Sequence, residues 1–182
     1  MLDNTNKYNT DFMFDDVPVI GNKYNYGDYK LYAKSDDKEI KGFFGENRWL
    51  SNFHYCPVYY EGLLYCTSEN AYQSAKVIKD ERQPFTNCTP KDSKRMWKTR
   101  KLLHTAQGWD DVKGDVMKII LMDKFYRNLD LRRKLVDTGD RYLEETNHWH
   151  DNWFGYCICE KCKGLGQNNL GKILMKVREF WK

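Results

Sequence analysis

The signals that start helices and those that form strands are segregated along this chain, with the change at Thr67. Val58-Tyr59-Tyr60 and Leu63-Leu64-Tyr65-Cys66 flank Glu61-Gly62, a hairpin turn in which Gly62 supplies the positive φ. Gly42-Phe43-Phe44-Gly45 reads as a short strand before it, with a polar and aromatic loop, Arg48-Trp49-Leu50-Ser51-Asn52-Phe53, between the two. Beyond residue 67 the pattern turns mostly helical. Thr67 is a good N-cap for a helix to about Asp80, and Thr89-Pro90 starts another through about Leu103. Asp110 caps a long helix to about Asn128, with an apolar stripe of Val112, Val116, Ile119, Ile120 and Phe125. Asp130 caps a shorter helix that Gly139 ends. Tyr142-Leu143-Glu144-Glu145 reads as a strand or a bend, and 147–168 as a loop. A last helix from about Asn169 to Phe180 packs through Leu170, Ile173, Leu174 and Val177.

Residues 1–40 read as an N-terminal extension, ordered only in part, with β-prone pieces at Val17–Ile20 and Tyr29–Ala33. The remaining 41–182 form one domain. No apolar run approaches the roughly 18 residues needed to cross a bilayer, so no membrane role is expected. The polar start, Met1-Leu2-Asp3-Asn4, offers no signal peptide. Six cysteines without such a signal point to a reducing, cytoplasmic setting, where clustered thiols suggest metal or redox chemistry.

Four constellations carry chemistry. In Thr67–Lys76, Glu69 lies in the first helical turn, and Gln73 and Lys76 follow at four and seven residues. The three share one face: a solvated ion-pair row, or one wall of an active site. Asp151 sits among Trp149, His150, Trp153 and Phe154, where partial desolvation would raise a carboxyl pKa; a turn-forming aspartate is the alternative. Cys157-Ile158-Cys159-Glu160-Lys161-Cys162 places three thiols within reach of one zinc, with His148 or His150 as the nearest fourth ligand, or else three reduced surface thiols. Gly164-Leu165-Gly166-Gln167-Asn168-Asn169-Leu170-Gly171 opens a helix, and matches neither a Walker loop nor a dinucleotide fingerprint. Six basic residues between Lys91 and Lys101 form a candidate phosphate-facing stripe or a solvated face. Aromatics make up 15% of the chain; those beyond what a core needs suit a pocket that stacks a flat ring, while a place in the core is the commoner use of any single one.

The order of these blocks resembles the NADAR (YbiA-like) family. Phe44 … Leu50-Ser51-Asn52-Phe53 and Thr67-Ser68-Glu69 … Gln73 … Lys76 match its opening, and Trp109 … Val112-Lys113 … Val116-Met117 … Lys124-Phe125 its middle helix. Leu143-Glu144, Asp151 with Gly155, and Asn168-Asn169-Leu170-Gly171 through Arg178 match its end. The resemblance implies an α+β fold: a single helix-rich domain with a small antiparallel β region. It also implies an N-glycosidase, which cleaves between ribose C1 and an exocyclic amine. The substrates it implies are ADP-ribose linked to the amino group of guanine in nucleic acid, or the phosphorylated ribosylamino-pyrimidines of riboflavin synthesis. A non-catalytic ADP-ribose-binding module is the reading from another class.

On that resemblance Glu69, Lys76 and Asp151 are the catalytic candidates. Glu69 acts as acid, base or stabiliser of an oxocarbenium ion, and Lys76 as Schiff-base amine or phosphate clamp. Trp49, Phe53, Trp153 and Phe154 sandwich the heterocycle, and Asn52, Gln73, Glu144 and Asn168 contact polar groups. Arg48, Lys98 and Arg178 are phosphate candidates, Arg178 equally a structural pair. No cofactor is required. A zinc held by Cys157, Cys159, Cys162 and His150 would be structural, because the cysteines expand a loop that is short in the family.

Overall fold

The computed structural model describes residues 33–182. The β-prone piece expected at 17–20 lies outside them, as does all but Ala33 of the piece expected at 29–33. Strands β1 (Lys34–Ser35) and β2 (Glu39–Lys41) pair antiparallel. β2 also pairs in parallel with β5 (Tyr142–Glu144), placing Ile40 opposite Leu143 in the core. The hairpin is β3 (Tyr55–Tyr60) and β4 (Leu63–Thr67), joined by Glu61 and Gly62 at φ 43° and 92°. These values are those of a turn whose twist matches the strands, as the sequence predicts. β6 (Thr146–Asn147) and β7 (Tyr156–Cys157) form a short parallel pair. The β region is therefore three small pieces of mixed direction, antiparallel in the hairpin and in β1–β2. Gly42–Gly45 is not a strand: it leads into a 3-10 turn, Gly45–Leu50.

The helices are α1 (Ser68–Ser74), α2 (Pro90–Met96), α3 (Ala106–Arg127), α4 (Leu129–Asp137) and α5 (Asn169–Trp181). Thr67 and Thr89 cap α1 and α2, each accepting a backbone N–H three residues on. Four boundaries differ from the sequence reading, one of them in α4, which starts at Leu129 with Asn128 at the N-cap position and Asp130 already in its first turn. α1 stops at Ser74 rather than near Asp80, because Val77 bridges Leu102 and the backbones of Lys76 and Leu103 bond, which pulls the chain out of helix. α2 stops at Met96, and the chain reaches that bridge through a 3-10 turn, Trp97–Thr99. α3 begins one turn before Asp110, since Thr105 accepts from the Gly108 amide and is the true cap.

α3 is the spine. Val116, Met117, Ile120, Leu121, Lys124 and Phe125 are its buried face, while Ile119, expected there, is exposed. Lys124 is fully buried, and its ammonium donates to the carbonyls of Trp49 (2.8 Å) and Ser51 (3.0 Å). It thereby fixes the loop that carries Asn52 and Phe53. α5 packs on β5 so closely that Gly171 touches the Leu143 carbonyl: a Cβ there would sit 2.0 Å from that oxygen.

Gly171→Ala is therefore expected to lower unfolding stability by about 2–4 kcal/mol, by the overpacking it forces against backbone. Chemical denaturation would measure it, against Gly139→Ala, where no atom lies near the added methyl and only the backbone strain of φ 62° acts, so that the smaller loss is expected there.

Candidate active site

A cavity of about 990 Å³ opens between α1, α3, the 48–53 loop and the 145–154 segment. Its lining gathers most of the candidates read from the sequence, the polar Arg48, Asn52, Glu69, Gln73, Lys76 and Asp151 and the aromatic Phe53, Trp153 and Phe154. Each arrives by a simple local route. α1 is buried along its entire length, so Glu69 and Gln73 are carried inside with it. The Glu69 amide donates to the Asn52 carbonyl (3.0 Å), which seats the loop against the helix start. The Gln73 amide donates to Glu69 Oε1 at 2.6 Å. Lys76 lies beyond the end of α1 yet still lines the same cavity.

Glu69 and Lys76 do not form the ion-pair row. The cation nearest Glu69 is Lys94 on α2, at 4.0 Å. Burial pushes the Glu69 carboxyl above the usual range, and Lys94 and the Gln73 amide partly restrain that rise. The Lys76 ammonium stands over three rings, Trp97 (4.4 Å to the centroid), Tyr72 (5.2 Å) and Trp109 (5.5 Å). Burial lowers its pKa to about 8, with Glu69 opposing the fall and Lys94, Lys98 and Lys113 adding to it. Such an amine carries a neutral fraction near physiological pH that an ordinary lysine lacks.

Across the cavity, Asp151 plays the turn-forming part as well: its Oδ1 accepts from the amides of Phe154 (2.9 Å) and Trp153 (3.3 Å). This holds Trp153 and Phe154 edge to face at 4.6 Å, and Phe154 then meets Tyr72 at 5.3 Å. Lys113 lies over the Trp153 ring, and the cations of Arg48 and Lys94 both lie near the Phe53 ring centre, at 5.9 and 5.4 Å.

The structure adds a carboxyl that sequence reasoning passed over. Glu145 lines the cavity, and its Oε2 is buried without a hydrogen-bond partner. Burial, and then the nearby Asp151 charge, push its pKa to about 8 against a smaller opposing pull from Arg48. Asn52 Oδ1 and Gln73 Oε1 are likewise buried and unpartnered, so three acceptor-capable oxygens in this cavity await donors. Strand parity was the available signal for Glu145. With Leu143 in the core, the residue two further on points to the same side.

Five candidates lie away from the lining. Trp49 is buried edge to face against Phe125, at 6.5 Å, and belongs to the core. Glu144 accepts from Thr146 Oγ1 (2.8 Å). Asn168, buried at φ 51°, spends its side chain on the Glu145 amide, the Leu143 carbonyl and the Tyr142 hydroxyl, so it positions Glu145 from behind. Arg178 donates to Thr138 Oγ1 and the Arg141 carbonyl, tying α5 to the turn after α4: the structural alternative. Lys98 is exposed on the 3-10 turn. Of the basic stripe, Lys91 and Lys94 line the cavity. Tyr72, Trp109 and Lys113 line it too, unforeseen individually.

Comparison with known proteins gives a consistent picture. The model of the NADAR domain matches residues 37–181. The chain is 32% identical over 133 residues to the riboflavin biosynthesis protein VVA0006 of Vibrio vulnificus, covering 72% of this chain but 35% of that longer protein. It is 32% identical over 137 residues to the N-glycosidase Npun_R5314 of Nostoc punctiforme (71% of this chain, 83% of the relative). It is 30% identical over 151 residues to the N-glycosidase YbiA of Escherichia coli (82% and 85%). The solved NMR structure of the E. coli protein YbiA superposes with a TM-score of 0.66 at 27% identity, covering 84% of this chain and 89% of that one.

The raised Glu145 carboxyl has a measurable consequence for stability. In the folded chain it keeps its proton to about pH 8, whereas unfolded it releases it near the ordinary glutamate value. Across that window the folded state binds more protons, so stability falls as pH rises. Glu145→Gln is expected to remove this fall, making the variant more stable than the parent by roughly 2–4 kcal/mol at pH 8 and converging with it toward pH 4. Urea midpoints of both proteins across that range provide the check.

Proposed function

The chain belongs to the NADAR domain family, and from that premise we propose that it is an N-glycosidase hydrolysing the bond between ribose C1 and an exocyclic amine. The observation that carries this reading is the meeting, in one cavity, of two desolvated carboxyls and a desolvated amine. Breaking such a bond requires a proton for the leaving amine and stabilisation of positive charge at C1. Burial raises both carboxyls, and Lys94 and Asp151 act on the two in the same sense. What separates them is hydrogen bonding: the Gln73 amide donates to Glu69 Oε1 and so favours its anion, which serves as the charge facing C1. Glu145 Oε2 has no such donor, and this carboxyl serves as the acid that protonates the departing nitrogen.

Lys76 acts as the nucleophile rather than as the phosphate clamp. A clamp profits from a full positive charge, and Lys91, Lys94 and Arg48 supply that at the same cavity. A caged amine with its pKa near 8 is better fitted to attack C1 of the ring-opened sugar imine. The free amine then departs, a Lys76–ribose Schiff base remains, and water hydrolyses it to release the sugar and regenerate the lysine. The preferred substrate is ADP-ribose on the amino group of guanine. A long diphosphate arm suits the basic lining, and the Tyr72–Phe154–Trp153 cluster offers ring faces to a purine. The Vibrio relative, named for riboflavin biosynthesis, favours a second substrate, a phosphorylated ribosylamino-pyrimidine.

Parallel incubation with ADP-ribosylated guanine DNA and with a riboflavin-pathway ribosylamine, scoring released base, separates the two. Binding of both without release of either base would mean a binding module instead. Glu69→Gln is expected to fold normally and to lose turnover by about 10²–10³-fold or more, as for removal of a stabilising group at a charged transition state. Full activity in that variant would overturn its role. The pH dependence of kcat/KM is expected to be bell-shaped with its optimum near pH 8, because Lys76 must lose its proton and Glu145 must keep one. Borohydride added during turnover should fix the ribosyl group to Lys76. Lys76→Arg should give neither adduct nor turnover; activity retained in that variant would return Lys76 to phosphate binding.

A further inference from the structure

A second cluster, outside the chemistry just described, begins at the cavity wall itself, since His150 is part of the lining. Cys157, Cys159 and Cys162 converge with His150, and their ligand atoms all lie within 4.8 Å of one another. His150 Nδ1 is 3.2 Å from the Cys159 sulfur and 3.4 Å from that of Cys162. All three cysteines are free thiols. We propose that these four side chains bind one zinc ion in a closed, tetrahedral Cys3His site whose role is to hold the 148–167 loop in place.

The donor set and its packing both argue for zinc. Three sulfurs and one imidazole is a donor set of structural zinc sites, and ligand atoms bound to one such ion lie about 3.5–3.8 Å apart, given metal–ligand distances of about 2.0–2.3 Å. The observed spacings bracket that range, so small side-chain adjustments close the shell. The backbone is already arranged around sulfur. The Cys162 amide points at the Cys159 sulfur (3.4 Å), while the Cys162 and Lys163 amides also approach the Cys159 carbonyl (3.1 and 2.8 Å). Cys157 is fully buried and Cys162 nearly so, yet the loop around them buries few apolar side chains, leaving the thiols without a hydrophobic reason to be inside. Hard cations are disfavoured by sulfur donors, and four protein ligands leave no open position for catalysis. Both points assign the ion a structural role.

The consequence reaches the cavity through chain connectivity. Asp151, Trp153 and Phe154 all fall between the ligands His150 and Cys157. An ion joining those ligands closes the segment into a loop and restricts the wall those three residues form. The proposal does not depend on the reaction assigned above.

The test uses the whole chain, purified under reducing conditions. Metal analysis is expected to find about one zinc per chain. Cobalt replacing it should give the visible bands of a tetrahedral ion together with thiolate-to-cobalt charge transfer. Chelation should speed backbone hydrogen exchange across 148–167 while leaving α1 and α3 protected. Cys159→Ser and Cys162→Ser should weaken metal binding at least tenfold, and Cys88→Ser, outside the cluster, should not. If a serine variant fails to fold, the cobalt spectrum of the parent chain still decides. Absence of stoichiometric metal after zinc addition, a cobalt spectrum without thiolate charge transfer, or unchanged metal affinity in both serine variants would overturn the assignment.

Discussion

The burial of α1 is the constraint on which the rest depends. A helix of seven residues has no stability of its own, because nucleation costs more than so few hydrogen bonds return. It persists because all seven residues are enclosed and its ends are secured. Thr67 caps it, while the Asn70 amide reaches the carbonyls of Phe85 and Cys88 and thereby moors the segment that leads to α2. The same burial takes a glutamate and a glutamine out of water. The fold bears that penalty locally, through the Gln73–Glu69 hydrogen bond and Lys94, and the residual desolvation gives Glu69 its altered acidity.

Burial of charge alone does not mark a site, and this molecule shows why. Lys124, Arg82 and Arg178 are as enclosed as Glu69. Lys124 is satisfied by two carbonyls, Arg82 meets Glu61 and the Val77 carbonyl, and Arg178 meets Thr138 and the Arg141 carbonyl. Each of these cations staples separate stretches of chain together. Arg82 Nη2 and Arg178 Nε also lack a hydrogen bond, yet each side chain is spent on two other partners and neither lines the cavity. In the cavity the unpartnered atoms gather on one surface. Asn52, Gln73 and Glu145 each keep an unpartnered oxygen, and Lys76 faces rings instead of an anion. Unfulfilled polar capacity in a concave setting, rather than depth, distinguishes the residues poised for a ligand.

What the sequence made legible were the features decided by near neighbours. The Glu61-Gly62 turn and the Thr67 and Thr89 caps depend on φ and on bonds spanning three residues, and they stand as read. The misreadings follow from contacts between distant residues. Nothing near Ser74 announces the helix end, which is set by a bridge from Val77 to Leu102. Asp110 and Thr105 are both good caps, and only the chain's path after that bridge selects the earlier one. Glu144 and Glu145 are adjacent acids that strand register alone can tell apart, and the register was open while the segment read as strand or bend. Trp49 and Arg178 carry functional-looking chemistry into structural positions. The composition of the pocket was thus visible in outline, but not which of two neighbouring residues supplies each part.

The two sides of the cavity are held by different physics, and this bears on how the site can move. The α1 side is set in the apolar core, where displacement would open voids against Val58 and Phe85. The opposite side rests on a few directed bonds: Asp151 to the Phe154 amide, the Asn147 amide to the Asp151 carbonyl, and the Leu170 amide to the Phe154 carbonyl. Such bonds are individually worth about 1 kcal/mol, so this wall is the softer one and the natural place for adjustment when a large substrate enters. A soft wall carrying Asp151 also matters for chemistry, because the Asp151 charge contributes to the elevated acidity of Glu145. Movement of the 148–154 segment would retune the acid as well as reshape the pocket. Anchoring that segment through the thiol cluster at its far end would therefore keep the geometry and the proton affinity of the site together.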